Sequence, residues 1–208
     1  MPVRGVIFDL DGTLIDSKLD FDQMRCDMEF APGQLILETL ESLPEGEQKD
    51  RCRDVLRRHE YRGAISATLM PGAAELLAEL DRRRIPQAIL TRNSREMTDL
   101  ALRRLQLAFS LVLTREDAPP KPDPQGLHMI CRNWKIDACD AVFVGDFHFD
   151  VIAGRRAGMA TILYAPGPRP EYAHEADFVI SHLAQTCDVL TQLDRQMGRT
   201  NGSSNEDG

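Results

Sequence analysis

The stretch "GVIFDLDGTLIDS", residues 5–17, carries an apolar run straight into two aspartates one residue apart, with Gly12 and the hydroxyls of Thr13 and Ser17 close behind. Asp-Gly is a turn signal, and a carboxylate just past a strand can accept from backbone N–H groups, which accounts for Asp11 but leaves Asp9 unexplained. Two carboxylates this close repel and lose hydration unless a cation compensates, and a divalent ion held by oxygen ligands does so. Matching polar residues follow further along. Thr91, Arg92 and Asn93 come after "QAIL", Lys121 precedes "PDPQGL", and Asp146 ends "AVFVGD" with Asp150 four residues on. Each has an ordinary structural role open to it: Thr91 with Asn93 or Ser94 as a helix cap, Lys121 as a solvated loop charge, Asp146 and Asp150 in the first turn of a helix. One shared site explains all of them together better than separate coincidences do.

The chemistry such a set suits is phosphoryl transfer. Asp9 would attack phosphorus and become an aspartyl-phosphate, splitting one hard hydrolysis into two easier steps. Asp11 would protonate the leaving alkoxide and then take a proton from the attacking water. Magnesium would be held by Asp9, Asp146 and the backbone carbonyl of Asp11, while Thr91 and Lys121 stabilise charge on the equatorial phosphoryl oxygens.

These residues need a frame that brings them together. Short apolar, β-branched runs recur at "VRGVIF", "QAILT", "LVLT", "AVFVGD", "ATILY" and "DFVIS", interleaved with helix-period segments such as "GAAELLAELDRRR" and "SREMTDLALRRLQ". That alternation predicts an α/β fold, a Rossmann-like doubly wound parallel sheet, whose ligands gather beyond the carboxyl ends of the strands. Between Ser17 and about Leu69 the texture changes to charged helical segments broken by Pro32-Gly33 and Pro44. We therefore expect a catalytic core over residues 1–16 and 71–197, with a small all-helical cap inserted over 17–70. The polar, Gly/Ser-rich end "GRTNGSSNEDG" reads as a disordered tail over 198–208.

Composition sets limits on partners. With 208 residues and 42% hydrophobic content, the chain has material for a substantial core. A net charge of -8 argues against a general nucleic-acid binder, although local cations can still hold a small anion. No apolar run reaches bilayer length, and "MPVRG" leads directly into a strand pattern, so a cytoplasmic location with no membrane partner is expected. Five scattered cysteines without a CxxC pair read as reduced packing residues rather than zinc ligands.

The motifs together resemble the haloacid dehalogenase-like hydrolase superfamily, in its phosphoglycolate phosphatase-like branch. "FDLDGTLIDS", "ILTRN", "KPDP" and "VGDFHFDVIAGRRAGM" match that family's four motifs in the family's order. The resemblance implies a sheet in order 5-4-1-2-3, a requirement for magnesium and a helical cap after the first motif. It further implies Asp9 as nucleophile, Asp11 as acid/base, Asp146 as metal ligand, and Asp150 as a contact to metal-bound water that also orients Lys121. Phe147 departs from the pattern, standing where the family usually has Ser or Thr. The expected activity is hydrolysis of a small phosphorylated metabolite. Two alternatives stay open: a phosphosugar mutase of the same superfamily, and, from a different class, a receiver-like phosphorylation-controlled binding module. For substrate contacts the basic or polar candidates are Arg92, Asn93 and Arg115 near the motifs, and His59 and Arg62 in the last cap helix.

Overall fold

A computed structural model of the chain describes residues 3–200, with side chains described as far as Gln196. In chain order the elements are β1 (Gly5–Phe8), β2 (Ile15–Asp16), α1 (Phe21–Asp27), α2 (Ile36–Ser42), α3 (Glu47–Ser66), β3 (Thr68–Leu69), α4 (Ala73–Arg82), β4 (Gln87–Leu90), α5 (Arg95–Arg104), β5 (Val112–Leu113), α6 (Gln125–Trp134), β6 (Ala141–Gly145), α7 (His148–Ala157), β7 (Ala160–Tyr164), β8 (Phe178–Ile180) and α8 (Thr186–Thr200). Six strands form one parallel sheet in the order β5-β4-β1-β6-β7-β8. At its centre is β1, the strand that Asp9 follows. The five-strand order implied by the resemblance is present and is extended by β8 at one edge.

Strand period explains why both faces of this sheet are buried. Along β1, Val6 and Phe8 enter the apolar cluster on one face and Ile7 enters the cluster on the other; β6 repeats this with Val142 and Val144 against Phe143. A strand covered on both sides reads as a continuous apolar run rather than an alternating one. The helices end and begin at residues suited to it. Ser94 caps α5 by accepting from the Met97 N–H at 3.4 Å, and Gly158 closes α7 at φ +77°, a left-handed conformation that glycine adopts without a Cβ clash.

The helical insertion carries a cluster of its own. Met24, Met28, Ile36, Leu40, Cys52, Val55 and Leu56 pack together apart from the two clusters that sandwich the sheet. A short antiparallel ribbon, Ile15–Asp16 against Thr68–Leu69, joins the insertion to the rest. The sequence carries no visible sign of this ribbon within the span expected to be helical, because two-residue strands are too short to show alternation. At the other end, α8 runs to Thr200, three residues into the span read as a tail; residues 201–208 lie outside the described residues. No helix among the described residues is long and apolar enough to cross a membrane.

Candidate active site

Four chain segments meet at the carboxyl edge of the sheet. Asp9 follows β1, Thr91 follows β4, Lys121 lies in the loop beyond β5, and Asp146 follows β6. All four line one cavity with Asp11, Asn93 and Asp150. At its floor the Lys121 ammonium, 3% exposed, donates to the Asp9 carboxylate and, at 2.6 Å, to Asp150 Oδ1. Burial pulls a lysine toward neutrality, but the charges of Asp150 and Asp9 outweigh it and hold Lys121 above its ordinary value. The other oxygen of Asp150 accepts from the Phe147 N–H at 2.9 Å, which ties the first turn of α7 to the same ammonium.

Carboxylates crowd this floor. Oxygens of Asp9, Asp146 and Asp150 lie within 4.8 Å of one another. Burial, with repulsion from Asp150 and Asp146, pushes Asp9 well up against the pull of Lys121. Burial and the Asp150 charge likewise raise Asp146 to about 7. Lys121 alone therefore leaves the cluster under-compensated, and a second cation fits. Both Asp150 oxygens already accept from N–H donors, and one oxygen of Asp146 accepts from the Thr13 hydroxyl at 3.2 Å. Among the described residues, one oxygen each of Asp9 and Asp146 carries no hydrogen bond. Hard carboxylate oxygens with no sulfur or imidazole beside them suit magnesium. Close packing keeps the pair in place: a Cβ at Gly12, whose φ is +82°, would lie 2.2 Å from Asp146 Oδ2.

Asp11 stands apart from that cluster. Its Oδ2 accepts from the Asn93 side-chain amide, and its Oδ1 is buried with no partner among the described residues. Burial raises its carboxyl against the pull of Ser17 and Asn93, the direction a proton donor needs. The Thr91 hydroxyl, 3% exposed, accepts from the Asn93 N–H at 3.1 Å, so its own proton is left to donate elsewhere. That bond folds residues 91–93 into a tight turn from which Asn93 reaches Asp11.

The basic candidates divide. Arg92 lines the cavity but is already bonded, to Glu38 of α2 and at 3.0 Å to the Lys121 carbonyl. Arg115 is held by Glu60 of α3 and donates to the Arg92 carbonyl at 3.1 Å. His59 pairs with Asp27 at 2.7 Å, Arg62 is exposed, and neither lines the cavity. Leu56 and Glu60, four residues apart, share the face of α3 that meets the cavity; Arg62 turns off that face, and His59 is drawn aside to Asp27 of α1. The sequence alone assigned no role to Thr13 and Ser17, noted beside the acidic pair, and did not single out Glu60, Glu38 or Tyr172, whose hydroxyl donates to the Asp146 carbonyl at 3.3 Å. Glu60 did leave a trace, as an acid on the otherwise apolar stripe of Cys52, Leu56 and Ala64.

Residues 28–164 match the family model described as haloacid dehalogenase-like hydrolase. A haloacid dehalogenase-like hydrolase domain-containing protein of Arabidopsis thaliana is 33% identical, over 90% of this chain and 84% of that one. An N-acetylmuramic acid 6-phosphate phosphatase of Pseudomonas aeruginosa is 28% identical, over 91% and 96%. Among solved structures, a hydrolase from Pseudomonas syringae superposes with a TM-score of 0.76 at 22% identity, covering 91% of this chain and 98% of that one. With its acidic pair just beyond the central strand and its motif residues gathered at one sheet edge, the chain belongs to the haloacid dehalogenase-like hydrolases, as an enzyme of the phosphatase kind.

Proposed function

We propose that the protein is a magnesium-dependent phosphatase that hydrolyses a small phosphomonoester through an aspartyl-phosphate on Asp9. The observation that carries this reading is the division of labour between two neighbouring carboxyls. Asp9 is held against Lys121 within the acidic cluster, whereas Asp11, outside it, turns to Asn93 and keeps a buried oxygen with no partner among the described residues. Asp9 and Asp146 would hold magnesium with the Asp11 backbone carbonyl; when bound, the ion supplies charge neutralisation and orients the phosphoryl group.

The chain's own residues then divide the reaction into two displacements. An Asp9 oxygen bonds to phosphorus as the ester P–O bond breaks, and the departing alkoxide takes the Asp11 proton. Water next attacks the same phosphorus, its proton passes to Asp11, and the bond to Asp9 breaks, restoring both carboxyls. Lys121 and Thr91 meet the negative charge on the equatorial oxygens, and Asn93 keeps Asp11 aimed along the line of transfer. Asp150 positions Lys121 and the first turn of α7.

Residues 17–70 act as the cap that covers this site and excludes water. Its substrate is a small phosphorylated metabolite met in the cytoplasm, a compartment consistent with five unpaired cysteines. Phosphate release from p-nitrophenyl phosphate, with magnesium and then with EDTA, tests the reading; release that is indifferent to EDTA removes the metal from it.

A further inference from the structure

We infer that the cleft selects a phosphomonoester whose leaving group is uncharged, apolar and as bulky as an aromatic ring. This rests on the phosphatase reading above and narrows it. The cavity over the site measures about 590 Å³, well inside the ~300–1,000 Å³ of drug-sized ligand pockets. A phosphoryl group occupies a small part of that, so the remainder belongs to the leaving group.

The walls of the remainder are apolar and exposed. Among the described residues five large hydrophobic side chains are exposed, and three of them, Phe21 at 53%, Leu35 at 45% and Phe147 at 50%, line this one cavity. Exposed apolar side chains scattered singly need no explanation, but their convergence on one concave surface marks a contact with ligand. Phe147 is part of a fixed aromatic wall. Its ring meets Phe149 edge-on at 5.2 Å and Tyr172 at 6.2 Å. This is the position at which the sequence departs from the motif it otherwise resembles, exchanging a small hydroxyl for a ring.

The charges in the cavity point the same way. Lys121 is committed to Asp9 and Asp150, and Arg92 to Glu38, with its guanidinium 4.8 Å from the Phe149 ring centre. Arg25 is committed to Asp22 and to the Gln34 carbonyl, and only its buried Nε lacks a partner among the described residues. Lys18, exposed, is the one cavity cation without a carboxylate partner among the described residues. A leaving group bearing its own carboxylate, such as glycolate, would find only solvent-exposed Lys18 uncommitted, and to reach Arg92 or Arg25 it would have to displace Glu38 or Asp22. A neutral ring displaces no ion pair and gains the apolar contact.

The test compares kcat/KM in magnesium for 2-phenylethyl phosphate, ethyl phosphate and 2-phosphoglycolate, with p-nitrophenyl phosphate as a general reporter of activity. Phenylethyl and ethyl esters release closely similar alkoxides, so their ratio reads contact in the cleft rather than bond breaking. We expect 2-phenylethyl phosphate to exceed each of the other two by about tenfold or more. Phe21→Ser and Phe147→Ser should each lower the phenylethyl-to-ethyl ratio about threefold or more, with thermal melts to confirm folding, since both rings are half-exposed. A wild-type ratio near one, a preference for 2-phosphoglycolate, or a ratio unmoved in both variants overturns the inference and leaves the phosphatase reading standing. No release even from p-nitrophenyl phosphate overturns both.

Discussion

Asp9 and Asp11 are two residues apart and carry the same functional group, yet their surroundings separate their chemistry. Asp9, the proposed nucleophile, shares Lys121 with Asp150, whereas Asp11 turns toward Asn93 with its second oxygen unpaired among the described residues. Asp9→Asn should abolish turnover of p-nitrophenyl phosphate while the thermal midpoint stays near that of the wild type, because an amide cannot form the acyl-phosphate and the isosteric swap removes no packing. Near-normal hydrolysis by that variant would contradict the assigned nucleophile. Asp11→Asn should cost ~10²–10⁴ in kcat, the usual worth of a positioned proton donor. The loss in kcat/KM, which reads the transfer to Asp9 and not the shared hydrolysis step, should be smaller for p-nitrophenyl phosphate, whose leaving group needs less help from a proton, than for an alkyl ester; equal losses in kcat/KM on both would argue against the acid role.

Among the elements, the contact between the helical insertion and the sheet domain runs through charge pairs. Glu60 of α3 meets Arg115, Glu38 of α2 meets Arg92, and Arg57 of α3 meets Glu96 of α5 at 3.0 Å. They differ in weight. Arg57 and Glu96 are both exposed, so their pair contributes little. Glu60 has a side chain only 5% exposed, and its removal would leave Arg115 facing a desolvated space. Glu60→Ala should therefore destabilise by roughly 3 kcal/mol, at the low end for a broken buried pair because Arg115 still reaches solvent, whereas Arg57→Ala should change stability by less than about 1 kcal/mol. Urea unfolding of the two variants measures the difference, and equal effects would mean that burial does not set the strength of these pairs. Because the Arg115 guanidinium also donates to the Arg92 carbonyl, the loss of Glu60 should reach the turn that carries Asn93.

For the molecule as a whole, the acidic cluster sets the pH dependence. Asp146 is raised from 3.8 to about 7 by burial and by Asp150. Its contribution to metal-free stability is therefore complete below about 4 and is lost as pH rises through about 7, since the folded protein holds that proton longer than the unfolded chain. Magnesium competes with the same proton, so the rise in thermal midpoint on adding it should be larger at pH 8 than at pH 6; a shift that shrinks with rising pH would place the ion elsewhere. Much of this was legible in the chain alone. The apolar runs, the helix periods and the acidic pair after the first strand mark a doubly wound fold, and the motif residues need only sit at strand ends to converge, because parallel strands all finish on one side. The sequence could not reveal what depends on the rotation and packing of side chains: that Glu60 rather than His59 or Arg62 faces the cavity, that Arg92 is already occupied by Glu38, and that Phe147 joins Phe21 and Leu35 in one apolar wall. Local pattern and strand direction determined the meeting place from the sequence itself; the contacts that shape the cavity around it join residues far apart in the chain, and only the tertiary structure decided those.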